Sequence, residues 1–384
     1  MGFLAFTQGT FYMAIRYRPM RPNDVRECVE VVAAHPIIGP RYGNAIADLA
    51  PAWLRLLYND GFGAAVVFEE ANGAGVKKLG VSVSVFVHDE FMNELKAPPH
   101  FWIGPELTRR VLRGNSPLLS PAQVREANRC GGLNLLVWQA TVRPEARQRA
   151  DVFTSLPQAL MECHRGFLLK EVAAHPDSLE RLQTMRNCGG LLWDGAKAGY
   201  YKFPEDGWER IVKEPHISGI TRTLALSERG SWLGSLFIFY EPPKIGFSRS
   251  EQRLLLSAMR GSTDQELCEE LAVSLDAVKK AWRSIYDRVA VCLPDLFASD
   301  NGADNGTNRR GKGKKQHVVA YLREHPEELR PVSRKALQNG RAPSRPSPQA
   351  RAASRREGLE GHLLSVGRFG CSDPATARSG YNPK

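Results

Sequence analysis

The sequence predicts an α+β protein: an N-terminal mixed α/β domain, then an all-α domain, then a disordered basic tail. Val81–Val87 alternates apolar and other residues at period two, and Leu133–Val142 is a second strongly apolar strand. Three helix-start signals follow one another within Phe247–Val291. The segment Arg309–Lys384 holds 17 Lys and Arg against 6 Asp and Glu, a net charge of +11 that equals the charge of the whole chain.

Composition excludes several classes of protein. The hydrophobic fraction of 42% supports ordinary cores, and no apolar run is long enough to span a bilayer, so we expect no membrane partner. The opening residues 1–14 lack a basic region and a cleavage pattern, and they are predicted to be a disordered start. The seven cysteines are scattered without a CxxC pair, which predicts reduced thiols, a cytoplasmic location and no metal site.

The first 204 residues alternate strand and helix patterns, each with its own signal. The predicted elements are, in order, a strand at Ile15–Met20, a helix from Pro22, a helix at Ile46–Tyr58, strands at Ala64–Phe68, Val81–Val87 and Leu133–Val142, a helix at Phe153–Arg165, a strand at Phe167–Val172, a helix at Leu179–Asn187 and a strand at Leu191–Trp193.

This order, with the segments IRYRPMRPNDVRECVEVV and LNLLVWQATVRPE, resembles the GNAT acyltransferase fold. The resemblance implies that acyl-CoA pyrophosphate binds backbone N–H groups of a glycine-containing turn where the next helix begins. The corresponding turn, Glu145–Asp151, offers Arg147 and Gln148 but no glycine, and Asp151 would repel phosphates. We therefore expect the fold without catalysis, and assign no catalytic residue and no cofactor-binding residue.

Aromatic residues of this half could line a ligand pocket or belong to the core, and the core is the favoured interpretation. They are Trp102, Trp138, Trp193, Tyr200 and Tyr201. Residues 205–243 are predicted to form a hairpin and hinge, with strands at Thr221–Ser227 and Trp232–Tyr240 and a stop at Pro242-Pro243.

The next stretch carries the three helix starts. Ser248 with Glu251 and Thr263 with Glu266 are capping boxes, in which the hydroxyl and the carboxylate each accept a backbone N–H. Ser274 opens the third helix after a tight turn. Short helices of this kind must pack on one another, which is the helix-turn-helix pattern.

The third helix has two chemically different faces. Val278, Trp282, Ile285 and Val289 form an apolar stripe at helical spacing. A basic set lies on the side away from that stripe, which is typical of a helix that enters the DNA major groove. It consists of Lys279, Lys280 and Arg283.

The stretch Phe247–Val291 resembles the LuxR-type helix-turn-helix domain of bacterial transcription regulators, and it aligns without a gap. The resemblance implies that Lys279, Lys280 and Arg283 touch phosphates or bases. Ala277 and Ala281 replace polar residues usual in the family, which bears on the target sequence more than on DNA binding itself.

These patterns predict six segments. They are a disordered start at 1–14, a GNAT-like mixed α/β domain at 15–204, the hairpin and hinge at 205–243, the LuxR-type helix-turn-helix at 244–296, a flexible segment with an extra helix at 297–336 and a disordered Arg/Ser/Pro-rich tail at 337–384.

The favoured function is a bacterial transcription regulator, not an enzyme, whose N-terminal domain senses a signal or binds a partner. Its expected partners are double-stranded DNA, a second copy in a homodimer and a small-molecule effector. The alternative is a GNAT-type N-acyltransferase with an appended helix-turn-helix. A protein–protein module whose helix-turn-helix has lost DNA binding is a third hypothesis.

Overall fold

A computed structural model describes most of the chain. The described residues are 15–72, 75–147, 149–227, 231–238, 240–259, 261–301 and 312–330. The predicted disordered start at 1–14 and tail at 337–384 lie outside them, as does part of the predicted flexible segment. No helix among the described residues is both long enough and apolar enough to cross a membrane.

An eight-stranded sheet organises the N-terminal half, in the order β1-β2-β3-β4-β5-β8-β6-β7. Its strands are β1 Arg16–Pro19, β2 Ala64–Asn72, β3 Gly75–Val87, β4 Leu133–Val142, β5 Leu169–Ala174, β6 Leu191–Asp194, β7 Gly199–Tyr201 and β8 Ser218–Thr221. Neighbouring strands are antiparallel except β4 and β5, which run parallel. A parallel pair needs a crossover connection, and the helix between these two strands supplies it.

Eleven helices connect and cover the described strands. They are α1 Val25–Ala33, α2 Ile38–Tyr42, α3 Ile46–Tyr58, α4 Asp89–Lys96, α5 Ile103–Arg113, α6 Pro121–Arg129, α7 Ala150–His164, α8 Leu179–Asn187, α9 Trp208–Lys213, α10 Arg222–Ser227 and α11 Ser235–Ile238. From β1 to β6 this order confirms the predicted GNAT-like succession of strands and helices, with α4–α6 forming the insert between β3 and β4.

Both faces of the sheet are covered because its central strands are apolar on both sides. Val83, Val85 and Trp138 belong to the core that packs with α1, α3 and α5. Phe86 and Leu135, one residue out of phase, belong to a second core on the other face with Phe237 of α11. Because successive side chains of a strand point to opposite faces, alternate residues of β3 and β4 contribute to two different cores.

The predicted hairpin at Thr221–Ser227 and Trp232–Tyr240 is wrong. After β8, the hydroxyl of Thr221 accepts the Leu224 backbone N–H at 3.4 Å, and α10 begins there. In α11 the backbone N–H groups of Leu236 and Phe237 donate to the carbonyls of Leu233 and Gly234, three residues back, at 3.2 and 3.0 Å. Local capping and these short-range backbone hydrogen bonds thus favour short helices.

Four helices form the C-terminal part that the structure describes. They are α12 Arg249–Met259, α13 Asp264–Leu271, α14 Leu275–Cys292 and α15 Lys312–Glu324. The Ser248 backbone N–H donates to Glu251 Oε2 at 2.7 Å, and that of Thr263 donates to Glu266 Oε2 at 2.7 Å. The helices share one apolar core, to which α15 contributes Val318 and Leu322.

A short segment after α15 ties these helices to the end of α7. The Arg330 guanidinium donates to the Glu162 backbone carbonyl at 2.8 Å, and the Arg165 guanidinium donates to the Glu324 carbonyl at 3.2 Å. The buried carboxylate of Glu328 accepts the backbone N–H groups of Lys244 and Ile245, each at 2.9 Å. The C-terminal helices are therefore anchored to the same helix that follows β4.

Candidate functional site

The parallel strands β4 and β5 stop pairing and diverge near their carboxyl ends. Their pairing runs from Leu133 with Leu169 to Val137 with Ala174. β4 continues to Val142, and among the described residues its positions 138–142 have no strand partner on the β5 side. Backbone N–H and C=O groups along that edge are available to a ligand.

A cavity of about 140 Å³ lies where the strands part, between the sheet and the helices α7 and α8. Most of its wall is apolar, including Val137 and Ala140 of β4, Leu156 and Leu160 of α7 and Val172 of β5. The crossover from a buried strand to a covering helix places these side chains together. Such a wall favours an apolar chain over a charged one.

Four buried polar atoms at this cavity have no hydrogen-bond partner among the described residues. They are Nε and Nη2 of Arg147, Nη2 of Arg181 and Oγ of Ser218, and all three residues border the cavity. Leaving a buried donor unpaired costs about 1–3 kcal/mol, and more for a charged group. These donors therefore point to a ligand that carries anionic or strongly polar oxygen atoms.

His35 borders the same cavity from the loop between α1 and α2. Its Nδ1 accepts the backbone N–H groups of Ile37 and Ile38 at 3.2 and 3.1 Å. Burial, and then the Arg147, Arg181 and Arg41 guanidinium groups, lower the pKa of His35 to about 3. The ring is therefore neutral at ordinary pH, and its single proton is on Nε2, where it can only be donated.

The turn between β4 and α7 differs from what the sequence suggested. Asp151 is not a free negative charge, because its carboxylate accepts two N–H groups of Arg149 at 2.8 and 3.1 Å. Glu145 is paired with Lys77 at 2.8 Å. With these carboxylates neutralised, Arg147 is a cationic side chain of the turn whose Nε and Nη2 find no acceptor in the described part of the chain. Gln148, which the sequence offered beside Arg147 in this turn, lies outside the described residues.

The sequence-predicted DNA contacts are far along the chain, on α14. Lys279, Lys280 and Arg283 are exposed, and none forms an ion pair with another described residue. Val278 and Trp282, on the other side of the helix, are buried in the core of the C-terminal helices. The cavity and this basic face are thus separate features.

The five aromatic residues that the sequence offered as a possible pocket lining do not line this cavity. Trp138 is buried edge-on against Trp53 at 6.3 Å, and Tyr200 is buried against Trp193 at 5.2 Å. Tyr201 is 43% exposed. The core interpretation is confirmed for Trp138 and Tyr200.

Sequence reasoning identified Arg147 but missed His35, Arg181 and Ser218. These residues come from the α1–α2 loop, from α8 and from β8, and only the folded sheet brings them to one cavity. Each stands alone in the sequence, with no motif around it. The one available signal was the strand-to-helix crossover at β4, which located the cavity but not its polar groups.

Comparison with known proteins gave structural matches only. No family model matches the chain. No curated protein matches it either. A solved structure of histone acetyltransferase HPA2 and related acetyltransferase from Corynebacterium glutamicum has 14% identity and a TM-score of 0.30, covering 54% of this chain and 95% of that one.

Two further solved structures are similar over the same share of this chain. The loading GNATL domain of CurA from Lyngbya majuscula has 12% identity, a TM-score of 0.31 and 97% of its length covered. A mosquito arylalkylamine N-acetyltransferase like 5b has 17% identity, a TM-score of 0.29 and 97% of its length covered.

The prediction that this chain is not an enzyme is contradicted. The solved structures it is similar to are described as acetyltransferases in two cases and as a GNATL domain in the third. The prediction relied on a glycine-free turn and on a repelling Asp151, and the pairing of Asp151 with Arg149 removes the second reason. The resemblance to LuxR-type regulators stays a prediction.

Proposed function

We propose that the N-terminal half is an acyl-coenzyme A-dependent acyltransferase that transfers an acyl group to an amine. The observation that carries the proposal is the apolar cavity where β4 and β5 diverge. Arg147 borders this cavity, and its buried Nε and Nη2 lack an acceptor among the described residues. An acyl-coenzyme A thioester combines an anionic pyrophosphate with a long, weakly polar arm. That combination matches a cationic turn beside an apolar wall.

Each part of the site has a role in this proposal. Arg147 binds a phosphate oxygen, because its guanidinium is the cationic donor left unpaired at the turn. The edge of residues 138–142, which has no strand partner in the described part of the chain, hydrogen-bonds the amide groups of the arm, as an added strand would. His35 donates its Nε2–H to the thioester carbonyl oxygen.

The role of His35 follows from its locked neutral form. During acyl transfer the amine nitrogen forms the new C–N bond, the carbonyl oxygen gains negative charge, and the C–S bond then breaks. The proton lost by the amine ends on the departing thiolate. A fixed neutral donor beside that oxygen stabilises the charge as it develops, without itself losing a proton.

Acyl transfer is tested by release of free thiol from acetyl-coenzyme A, measured with a thiol reagent in the presence of a panel of primary amines. We expect amine-dependent release by the full chain, reduced at least about tenfold in His35→Ala. The matched control is His88→Ala, which changes a partly exposed histidine that does not border the cavity. Release that is equal with and without amine would refute the proposal.

A second candidate function is DNA binding by α14. It is supported by Lys279, Lys280 and Arg283, which are exposed and form no ion pair with a described residue, on the face opposite the buried Val278 and Trp282. A cationic helix that follows a tight turn has the shape of a major-groove reader. In this proposal two copies of the chain bind double-stranded DNA at half-sites about one helical turn apart, and a small-molecule effector adjusts the affinity.

DNA binding is tested with duplexes selected from a random pool, followed by anisotropy titrations at several salt concentrations. The double variant Lys279→Ala with Arg283→Ala should weaken binding and reduce the slope of log affinity against log salt by about 2. The matched control changes Arg210 and Lys213 on α9, which are also exposed. An unchanged slope in the α14 variant would reject this function.

A further inference from the structure

We propose that the cavity recognises a carboxylate on one of the two reactants, through Arg181 and Ser218. This inference rests on the proposed acyltransferase function and specifies its substrate class. Arg181 and Ser218 are separate from the turn that carries Arg147. Each borders the cavity and each has a buried donor atom without a partner in the described part of the chain.

Arg181 is held in place before any ligand arrives. Its Nη1 donates to both carboxylate oxygens of Asp177 at 2.9 Å, and its side chain is only 12% exposed. Asp177 is itself fixed, because its backbone carbonyl accepts the Arg41 guanidinium. Its Nη2 has no hydrogen-bond partner among the residues that the structure describes. A guanidinium fixed on one side by a carboxylate presents its other N–H groups in a rigid plane, which suits a second carboxylate.

Ser218 supplies the neutral donor. It lies at the start of β8, directly opposite Ala174 at the carboxyl end of β5, and is 1% exposed. A Cβ on the neighbouring Gly190 would lie 3.4 Å from Ser218 Oγ, so the glycine leaves that side of the hydroxyl open. A buried hydroxyl normally finds a partner, and this one has none among the described residues.

The apolar wall favours a carboxylate on an organic reactant over a free inorganic anion. Val172 and Leu160 line the same cavity, and an inorganic anion would leave them uncovered. Glu180 also borders the cavity, but it makes no hydrogen bond to Arg181 or Ser218. A reactant with a short apolar chain ending in a carboxylate matches both kinds of wall.

The carboxylate could belong to the acyl group or to the amine, and matched reactant pairs distinguish these sources. Succinyl- and butyryl-coenzyme A have acyl chains of equal length and differ in the terminal carboxylate. Phenylalanine and phenethylamine differ in the same way on the acceptor side. The full chain is titrated calorimetrically with the two thioesters, and thiol release is compared for the two amines.

We expect one of the two pairs to show at least about tenfold preference for the carboxylate-bearing member. Ser218→Ala and Arg181→Gln should each move that ratio towards one, whereas Ser227→Ala on the exposed part of α10 should keep it. If the Arg181 variant folds poorly, the preference ratio measured for Ser218→Ala decides the test.

Ratios near one for both pairs in the wild-type chain would overturn this inference and leave the proposed function intact. A preference that persists in Ser218→Ala and Arg181→Gln would also overturn it. Absence of binding by either thioester and by coenzyme A itself would overturn the proposed function, and this inference with it.

Discussion

Gly166 and Glu327 are in backbone contact across the junction between the N-terminal half and the C-terminal helices. A Cβ on Gly166 would lie 2.5 Å from the Glu327 backbone nitrogen, and Gly166 has a φ of +89°. Gly166 follows α7, and Glu327 follows α15. A glycine is thus required here both for the left-handed backbone and for the close approach.

Gly166→Ala should therefore lower the free energy of unfolding by more than the left-handed conformation alone explains. That conformation costs a non-glycine residue about 1–2 kcal/mol, and the contact should add about 1–2 kcal/mol more. Urea unfolding of the full chain measures both. The matched control is Gly114→Ala, since Gly114 has a φ of +83° with open space around its Cβ position. Equal losses in the two variants would mean that the junction does not contribute.

Acid sensitivity is expected from His164. Its Nε2 is 2.7 Å from Ser84 Oγ, and burial lowers its pKa to about 4, against an ordinary value of 6.5. Below pH 6.5 the unfolded chain takes up this proton before the folded chain does. The folded state therefore loses stability as the pH falls from about 6.5 to about 4.

For His164 alone this loss amounts to about 2 kcal/mol between about pH 7 and about pH 5. His164→Gln keeps a polar side chain but cannot titrate, so its unfolding free energy should depend less on pH by that amount. The other buried histidines titrate in both proteins, and the difference isolates His164. Parallel pH profiles would contradict the assignment.

Filling the cavity should prevent coenzyme A binding without unfolding the protein. Ala140 pairs with Ser82 in the sheet and borders the cavity, so Ala140→Phe places a ring in that space. We expect acetyl-coenzyme A affinity to fall at least about tenfold, while the unfolding free energy changes by less than about 1.5 kcal/mol. The control is Ala320→Phe on the exposed side of α15. Unchanged affinity in Ala140→Phe would place the ligand elsewhere.

Local signals predicted much of the fold. The strand β4 and the helix α8 occur at their predicted bounds, and α13 begins at its predicted cap, Thr263. Ser120 and Gln123 also form a capping box at α6, although the insert was not predicted as helical. Caps act within one turn of a helix, so four neighbouring residues carry the signal.

The candidate site was much less predictable. His35, Arg181 and Ser218 depend on which strands become neighbours, and β8 pairs between β5 and β6 out of chain order. The unpaired donors also depend on what each side chain fails to contact, which no sequence pattern records. Asp151 illustrates the same point, since Arg149 pairs both with Asp151 in the turn and with Glu70 of β2, and the second contact needs the folded sheet.

Calorimetric titration of the full chain with acetyl-coenzyme A tests the central claim most directly. We predict about micromolar binding by the wild-type chain and by Arg129→Gln, whose side chain is 75% exposed on α6. Arg147→Gln should bind about tenfold or more weakly, because a buried charged donor to the ligand is lost. Absence of binding by the wild-type chain, or equal affinity in Arg147→Gln, would contradict the assignment of this cavity to an acyl-coenzyme A.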